Sequence, residues 1–362
     1  MPADVTNYQC PACTGPLQFV GASGKLECEH CGNSFDVATI EVLQADKEQA
    51  AAEKPMQWAT SGAGSEWSAE ETSGLRVYSC PSCGAEIICD ETTAATSCVY
   101  CGNPTVVPSQ LHGNLKPDYV IPFRHSKASA VEILKKYYKK KKFLPGTFAA
   151  QNHVEEIKGV YAPFWLFDGR ADADVRFRAT RVRVSRSGNT ETTTTDHYRL
   201  TRKGNVSFEK IPVDGSTKMP DAHMDAIEPF DYNELKPFST AYLPGFLADK
   251  YDQDATVCAP RANARISASA ESAMRSTVSG YTSVQSEYVD IDITQGDVKY
   301  ALLPVWLLST KWNGKNFLFA MNGQTGKMIG DLPIDWGKFF VWFFGIAIPI
   351  AGILMLITIF LM

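Results

Sequence analysis

Residues 80–103 read CPSCGAEIICDETTAATSCVYCGN, and residues 10–33 read CPACTGPLQFVGASGKLECEHCGN. Both follow C-x2-C-x14-C-x2-C. The ligand-type residues are Cys10, Cys13, Cys28 and Cys31 in the first copy and Cys80, Cys83, Cys98 and Cys101 in the second, 70 residues later at every position. A CxxC turn puts two thiolates on one side of an ion. A connection of about 14 residues then brings back a second pair to close the tetrahedron that zinc prefers. The spacing predicts two zinc ribbons of β-hairpin type, over 8–37 and 78–107, each holding one structural Zn2+. Such small units cannot hold themselves together by an apolar core. Metal binding, worth roughly 10–16 kcal/mol in small zinc peptides, would supply most of their folding energy.

Gly32 and Gly102 follow the last cysteine of each copy, where positive φ is expected, and Asn33 and Asn103 come next. A closed four-thiolate shell leaves no open position for water, which argues against catalysis by the metal. A thioredoxin-like redox pair is the competing reading. It is disfavoured because each CxxC has a partner pair at ligand spacing and neither opens a helix in a βαβ pattern. His30 is an alternative ligand in the first copy, but four cysteines are already available there. Cys89 and Cys258 have no partner pattern and read as plain buried thiols.

Residues 1–9 carry neither a basic segment nor an apolar run, so no signal peptide is expected. Paired CxxC knuckles then favour metal in a reducing compartment over disulfides. Net charge is −5 and 44% of residues are hydrophobic, which is ordinary for a globular protein and gives no nucleic-acid signature. Between Tyr78 and Val107 there is no Lys or Arg, while Glu86, Asp90 and Glu91 are present. Phosphate recognition needs a basic footprint, so protein binding or a purely structural role is favoured for the ribbons.

Outward from the cysteines, 41–75 reads as a linker. Its first part, Glu41 to Lys54, suits a short helix, and the Ser-Gly-Ala-Gly-Ser stretch at 61–65 suggests flexibility. Trp58 and Trp67 are unusual in such a segment and could dock on a neighbour. Residues 109–335 read as an α+β domain with an antiparallel sheet. Apolar residues at Val175, Phe177 and Ala179 alternate with Arg176, Arg178 and Thr180. The phase changes at Val182 and Val184, which suggests a bulge. Turns are expected at 187–189, 204–205, 312–315 and 322–326. The last is not a P-loop, since Met occupies both 321 and 328. A helix is expected over Pro260 to Val278, and another ending in the Lys135–Lys142 cluster with Val131, Leu134 and Tyr138 on its apolar stripe.

A weak internal repeat runs through this domain. It pairs residues 121–123, 143–146 and 161–166 with 228–230, 242–245 and 303–307, and suggests two related halves. Chance recurrence of Pro-aromatic turns is the competing reading.

Residues 339–362 carry no charge. At 1.5 Å per residue they would span about 36 Å, enough for a transmembrane helix with some tilt, and Trp336 and Trp342 suit the interface. The expected location is the cell membrane, single-pass, with the bulk of the chain cytoplasmic. The Lys135–Lys142 cluster and the arginines at 176–202 read as solvated faces or as contacts to anionic lipid, worth roughly 1 kcal/mol per basic residue near a charged bilayer. Single-stranded nucleic acid is a third reading, and a membrane-tethered nucleic-acid binder is the alternative function. His153 and Glu156 do not form HExxH and no nucleophile motif occurs, so no enzyme is expected.

Longer strings carry a family resemblance: HVEEIKGVYAPFWLFDG (153–169), SFEKIPVDGS (207–216), AIEPFDYNELKPFSTAYLPGFLADKYD (226–252), YALLPVWLL (300–308) and FAMNGQTGKMIGDLP (319–333). With the ribbons, which resemble the TFIIB type, they are similar to the bacterial zinc-ribbon membrane proteins of the YdjG kind, from about residue 8 to 335. The resemblance implies a membrane-associated adaptor. It also implies partners among SPFH (flotillin-like) proteins, TPM-domain proteins and the phage-shock protein PspA in membrane stress. It transfers no catalytic residue.

Overall fold

The computed structural model describes residues 8–11, 16–20, 25–28, 32–40, 42–43, 58–93, 97–104, 106–109, 115–151 and 156–361. Near the N-terminus, strands β1 (Tyr8–Gln9), β2 (Pro16–Val20), β3 (Lys25–Cys28) and β4 (Ser34–Phe35) form their own antiparallel sheet in sequence order. Cys10 and Cys28 are buried there with Leu17, Leu26 and Ile40. Cys13, His30 and Cys31 lie outside the described residues, as does most of the helix expected over 41–54.

The segment expected as linker is described from residue 58 onward and is structured there. Strand β5 (Trp58–Ala59) pairs with the main sheet at Gly296 and Asp297. A one-turn 3-10 helix follows at 60–62. Helix α1 (Ala69–Ser73) starts on a capping box between Ser68 and Glu71. What replaces flexibility is burial: Trp58 packs edge-on against Phe167, with ring centroids 4.9 Å apart, and Trp67 packs on Phe238. The two tryptophans, unusual in a Gly-Ser stretch, dock as their presence suggested.

Strands β6 (Leu75–Ser79), β7 (Glu86–Asp90) and β8 (Val107–Ser109) carry the second cysteine unit. They continue a twelve-stranded sheet with strands β9 (Tyr119–Val120), β10 (Lys158–Ser187), β11 (Thr190–Asp214), β12 (Lys236–Pro237), β13 (Leu247–Asp249), β14 (Ser283–Trp312), β15 (Lys315–Asn322) and β16 (Met328–Gly330). The sheet is mixed rather than antiparallel throughout. β13 runs parallel to β10, and both β9 and β5 run parallel to β14.

The centre of the sheet shows a local twofold relation. Tyr161 pairs with Pro304 and Pro163 with Leu302 across the β10–β14 ladder. Val160 and Tyr161 take Leu247 and Ala248 as parallel neighbours, while Ala301 and Leu302 take Tyr119 and Val120. The short strands at 119–120 and 247–248 therefore occupy equivalent places, each followed by a helix and a long strand. Those helices are α2 (Lys127–Lys139), followed by the short α3 (Gly146–Gln151), and α5 (Ala255–Ser276). The expected pairing of 121–123 with 228–230 is not the one the sheet uses: β9 leads directly into 121–123, whereas 228–230 follow α4 (Asp221–Ala226).

The segment with turns expected at 187–189 and 204–205 is one long hairpin, turning only at the first. β10 and β11 pair from Ser187↔Thr190 to Phe164↔Asp214, with the turn at Gly188, whose φ is +59°. Gly204 and Asn205 stay in strand β11 opposite Ala173 and Asp172. Met274 of α5 lies over Gly204, where an added Cβ would come within 3.3 Å of the Met274 methyl. No bulge marks Val182 in the β10–β11 ladder. The phase change reflects loss of cover: the hairpin tip projects past the end of α5 and both of its faces are exposed. Helix α5 begins at Ala255 on the Asp254 cap, earlier than Pro260, which sits inside it. The Asn313-Gly314 hairpin turn forms as expected, with both residues at positive φ.

The N-terminal part of β10, residues 159–167, is buried on both faces. Tyr161, Trp165 and Phe167 pack with Cys258, Ala262 and Ile266 of α5. Val160, Ala162, Phe164 and Leu166 share the other layer with Cys80, Cys98 and Val99 of the cysteine unit and with Met224 and Ile227 around α4. Each such side chain contributes roughly 1.5–3 kcal/mol by leaving water. The cysteine unit thus borrows the core of the large sheet.

Helix α6 (Trp336–Leu361) ends the described chain. It is long and apolar enough to cross a bilayer, and no residue in Trp336–Met355 is buried against the body. Met362, the last residue of the expected span, lies outside the described residues.

Candidate metal centre

Strand β6 delivers Cys80 into a tight turn. The Cys80 amide donates to Ala85 O at 2.9 Å, and the Gly84 amide donates back to Cys80 O at 2.8 Å. The second knuckle repeats this geometry. Cys98 N–H donates to Asn103 O at 2.8 Å and Gly102 N–H to Cys98 O at 3.2 Å. Gly84 and Gly102 both sit near φ +70°, where a side chain would be strained. The expected glycine role at 102 holds, and Gly84 plays the same part. The Cys83-Gly84 dipeptide was the signal for it.

The two knuckles face each other. Cys80 Sγ lies 3.7 Å from Cys101 Sγ and Cys83 Sγ lies 3.6 Å from Cys98 Sγ. All four sulfurs fall within 4.8 Å of one another. A tetrahedron with metal–sulfur bonds of 2.3 Å has edges of about 3.8 Å, so the group could hold a metal ion and matches a zinc site. Two of these cysteines are buried and two are partly exposed. Burial resists ionisation of Cys80, yet the amides of Cys83 and Ser82 and the Cys101 thiol bring its pKa down to about 7. Burial pushes Cys83 and Cys98 up. A divalent cation would allow all four to ionise together.

Sequence reasoning missed the surroundings of this centre. Lys158, at the start of β10, donates its ammonium to Ser97 Oγ at 2.6 Å and Ser97 O at 3.0 Å, next to Cys98. A divalent ion held by four thiolates would keep two negative charges, and this lysine would offset part of them. Tyr100, inside the second knuckle, is buried and its side chain reaches the carboxylate of Asp249 on β13. Strand β13 in turn pairs with β7 at Ala248↔Ile88 and Asp249↔Ile87. Nothing in the spacing of Lys158 or Asp249 tied them to the cysteines, because both contacts cross more than 60 residues.

In the first unit the described part shows the same turn. Cys28 N–H donates to Asn33 O at 2.9 Å, Gly32 N–H donates to Cys28 O at 2.8 Å, and Gly32 has φ +73°. Among the four expected ligands, Cys10 and Cys28 are buried, while Cys13 and Cys31 lie outside the described residues. Cys89 and Cys258 are buried away from the tetrad. Cys89 donates its thiol to Thr93 O at 3.0 Å, and Cys258 to Asp214 O at 3.5 Å.

The arginines of the long hairpin do not gather at the cysteine unit. Arg178 and Arg199 pair with Glu287, Arg183 with Asp196, Arg186 with Glu191 and Lys203 with Asp174. Arg176 lies over Tyr288, and Arg181 lies over Tyr198 and Tyr281.

No protein-family model matches the chain, and no solved structure matches it. It is 37% identical over 343 residues to a protein of Bacillus subtilis (strain 168) named "Uncharacterized protein YdjG", spanning 95% of this chain and 94% of that one. At that identity and coverage, the chain belongs to the YdjG family.

Proposed function

We propose that the protein is a membrane-anchored zinc-ribbon adaptor, which binds partner proteins at the cytoplasmic face of the cell membrane. The observation that carries this reading is a closed four-thiol shell built into the sheet of a chain that ends in an unburied apolar helix. Four thiolates around one zinc leave no coordination site for a substrate, so the metal's role is to fold and present a surface. In the first unit, the knuckle turn at Cys28 supports a second ribbon of the same TFIIB-like kind. The helix holds the body at the bilayer. Partners of the membrane-stress class, namely SPFH, TPM-domain or PspA-type proteins, follow from the family resemblance.

The nucleic-acid alternative is weaker. Acidic and aromatic neighbours occupy most of the hairpin arginines, which reduces the positive potential available to a phosphate backbone.

The test is affinity capture of the full-length protein from nuclease-treated, mildly solubilised membranes, beside a Cys80→Ser/Cys83→Ser variant. The reading expects wild type in the membrane fraction with a defined set of membrane-associated partners that the variant loses. Full-length protein in the soluble fraction would remove the anchor. Partners unchanged in the variant would remove the second ribbon from the binding surface.

A further inference from the structure

A cavity of about 780 Å³ opens where the body meets helix α6. It lies within the roughly 300–1,000 Å³ range of ligand sites. Three consecutive lysines, Lys140, Lys141 and Lys142, line one side, just past the C-terminus of α2. An apolar wall is formed by Phe143, Leu332 and Ile334, and Val37 and Ala38 of the N-terminal unit line it too.

His223 of α4 also lines the cavity. It is 8% exposed, and neither ring nitrogen makes a hydrogen bond; Nε2 lies 3.5 Å from Asp331 Oδ1. A buried imidazole without hydrogen-bond partners is costly, and a ligand oxygen entering the cavity would relieve that cost. Among the described residues no carboxylate pairs with Lys140 or Lys142. Burial holds the Lys141 pKa below its usual value, as expected for an ammonium short of solvation.

The cavity is tied to the first turn of α6. The Asp335 amide donates to Phe143 O at 2.8 Å and the Lys338 ammonium to Leu144 O at 2.6 Å. Lys142 lies over the Trp342 ring at 4.8 Å, and Phe143 packs on Phe339. Beyond this point Phe340, Val341, Phe343 and Phe344 are exposed. A ligand here would meet ammonium groups at one end and an open aromatic helix face at the other.

We propose that this cavity binds the phosphate headgroup of an anionic phospholipid, with its acyl chains laid along the exposed face of α6. The three lysines receive the phosphate, His223 donates to or accepts from headgroup oxygens, and the apolar wall takes the glycerol and upper chain. This rests on the membrane-anchor reading: a lipid reaches the cavity only if α6 is in a bilayer. The site is separate from the second cysteine unit and would make membrane docking selective for lipid composition.

The experiment follows thermal unfolding of the full-length protein in neutral detergent. The probes are short-chain phosphatidylglycerol, phosphatidylcholine of the same chain length, and glycerol 3-phosphate. Near a hundredfold excess over Kd, phosphatidylglycerol is expected to raise Tm by about 3–4 °C and phosphatidylcholine to leave it unchanged. Lys140→Gln/Lys142→Gln, which changes two exposed side chains, should abolish the shift. Lys136→Gln/Lys139→Gln, outside the cavity, should keep it.

An equal shift with phosphatidylcholine, no shift with any probe, or equal loss in both variants would overturn the site. A full shift with glycerol 3-phosphate alone would overturn the bilayer as the source and leave a soluble phosphate. Carbonate extraction of wild-type membranes separates the two readings. Release of the protein would sink the anchor, whereas retention with no lipid selectivity would sink only the cavity.

Discussion

The Trp58 indole N–H donates to Asn263 Oδ1 at 2.9 Å, joining two buried residues 205 positions apart. Trp58 comes from a Ser- and Gly-rich stretch, and Asn263 sits in the middle of α5. The ring fills a slot made by Gly296, where an added Cβ would overlap the indole. The segment before the second cysteine unit is therefore bolted onto the large sheet. Trp58→Ala should cost about 3–5 kcal/mol, through cavity formation and an orphaned amide. Trp58→Phe should cost less, leaving chiefly the unsatisfied Asn263. Gly296→Ala should destabilise by the same route as a lost Trp58 anchor. Urea denaturation of the three variants checks the order.

Cys80→Ser and Cys83→Ser should each release the metal of the second unit. The zinc content is expected to fall by one equivalent, read by a chromogenic chelator after denaturation. Because Cys80, Cys98 and Val99 share a core layer with Val160, Phe164 and Leu166, the loss should spread beyond the knuckles. Amide exchange is expected to rise in β7 and β13, which are paired at Ile88 and Ala248. Exchange confined to 80–103 would show that the sheet holds without the metal.

The cysteine tetrad of the second unit was legible because CxxC spacing states local geometry: two thiols three residues apart must share a turn. The apolar end was legible for the same kind of reason, being a contiguous run. Helix α2 was also within reach, since Val131, Leu134 and Tyr138 lie on one helical face. The long hairpin was not. The start of β10, at the base of the hairpin, is buried on both faces and the tip on neither, so period-two patterning holds only in between. Gly204 looked like a turn, yet it stays in β11 under Met274 of α5, a contact across 70 residues that no local pattern shows. Lys158, Asp249 and His223 were invisible for the same reason, as each acquires its role from partners that only the sheet topology supplies.

Arg265 of α5 is 1% exposed and sets its guanidinium 2.6 Å from Glu228 Oε2, with Asp225 beside the pair. Two charges taken out of water together gain little net stability, but removing one strands the other. Arg265→Met should therefore cost about 3–5 kcal/mol, as Glu228 loses its guanidinium. Arg265→Met/Glu228→Gln should recover a large part of that. A double variant as unstable as the single one would mean that the backbone contact from Arg265 to Pro212 O matters more than the charge pair.

Asp249 is fully buried on β13 and accepts from Ser216 Oγ at 2.7 Å, while its Oδ1 has no hydrogen-bond partner. Burial, only partly offset by Tyr100 and Ser216, raises its pKa to about 7. In the unfolded chain an aspartate titrates near 3.9, so between about pH 4 and pH 7 the native state holds a proton that the unfolded state has released. The contribution of this group is fully present below the unfolded pKa and is lost as pH rises to the folded one, with a slope of at most about 1.4 kcal/mol per pH unit. Thiolate protonation works in the opposite sense, since metal binding strengthens as pH rises. The useful quantity is thus the difference between proteins with intact metal centres. Asp249→Asn, which cannot ionise, should be similar in stability to wild type near pH 5.5 and more stable at pH 8. Chemical denaturation at both pH values reads this directly. A gap between the two proteins that stays constant from pH 5.5 to 8 would show that Asp249 is already ionised across the range, held by Lys218 and the surrounding donors rather than by a proton.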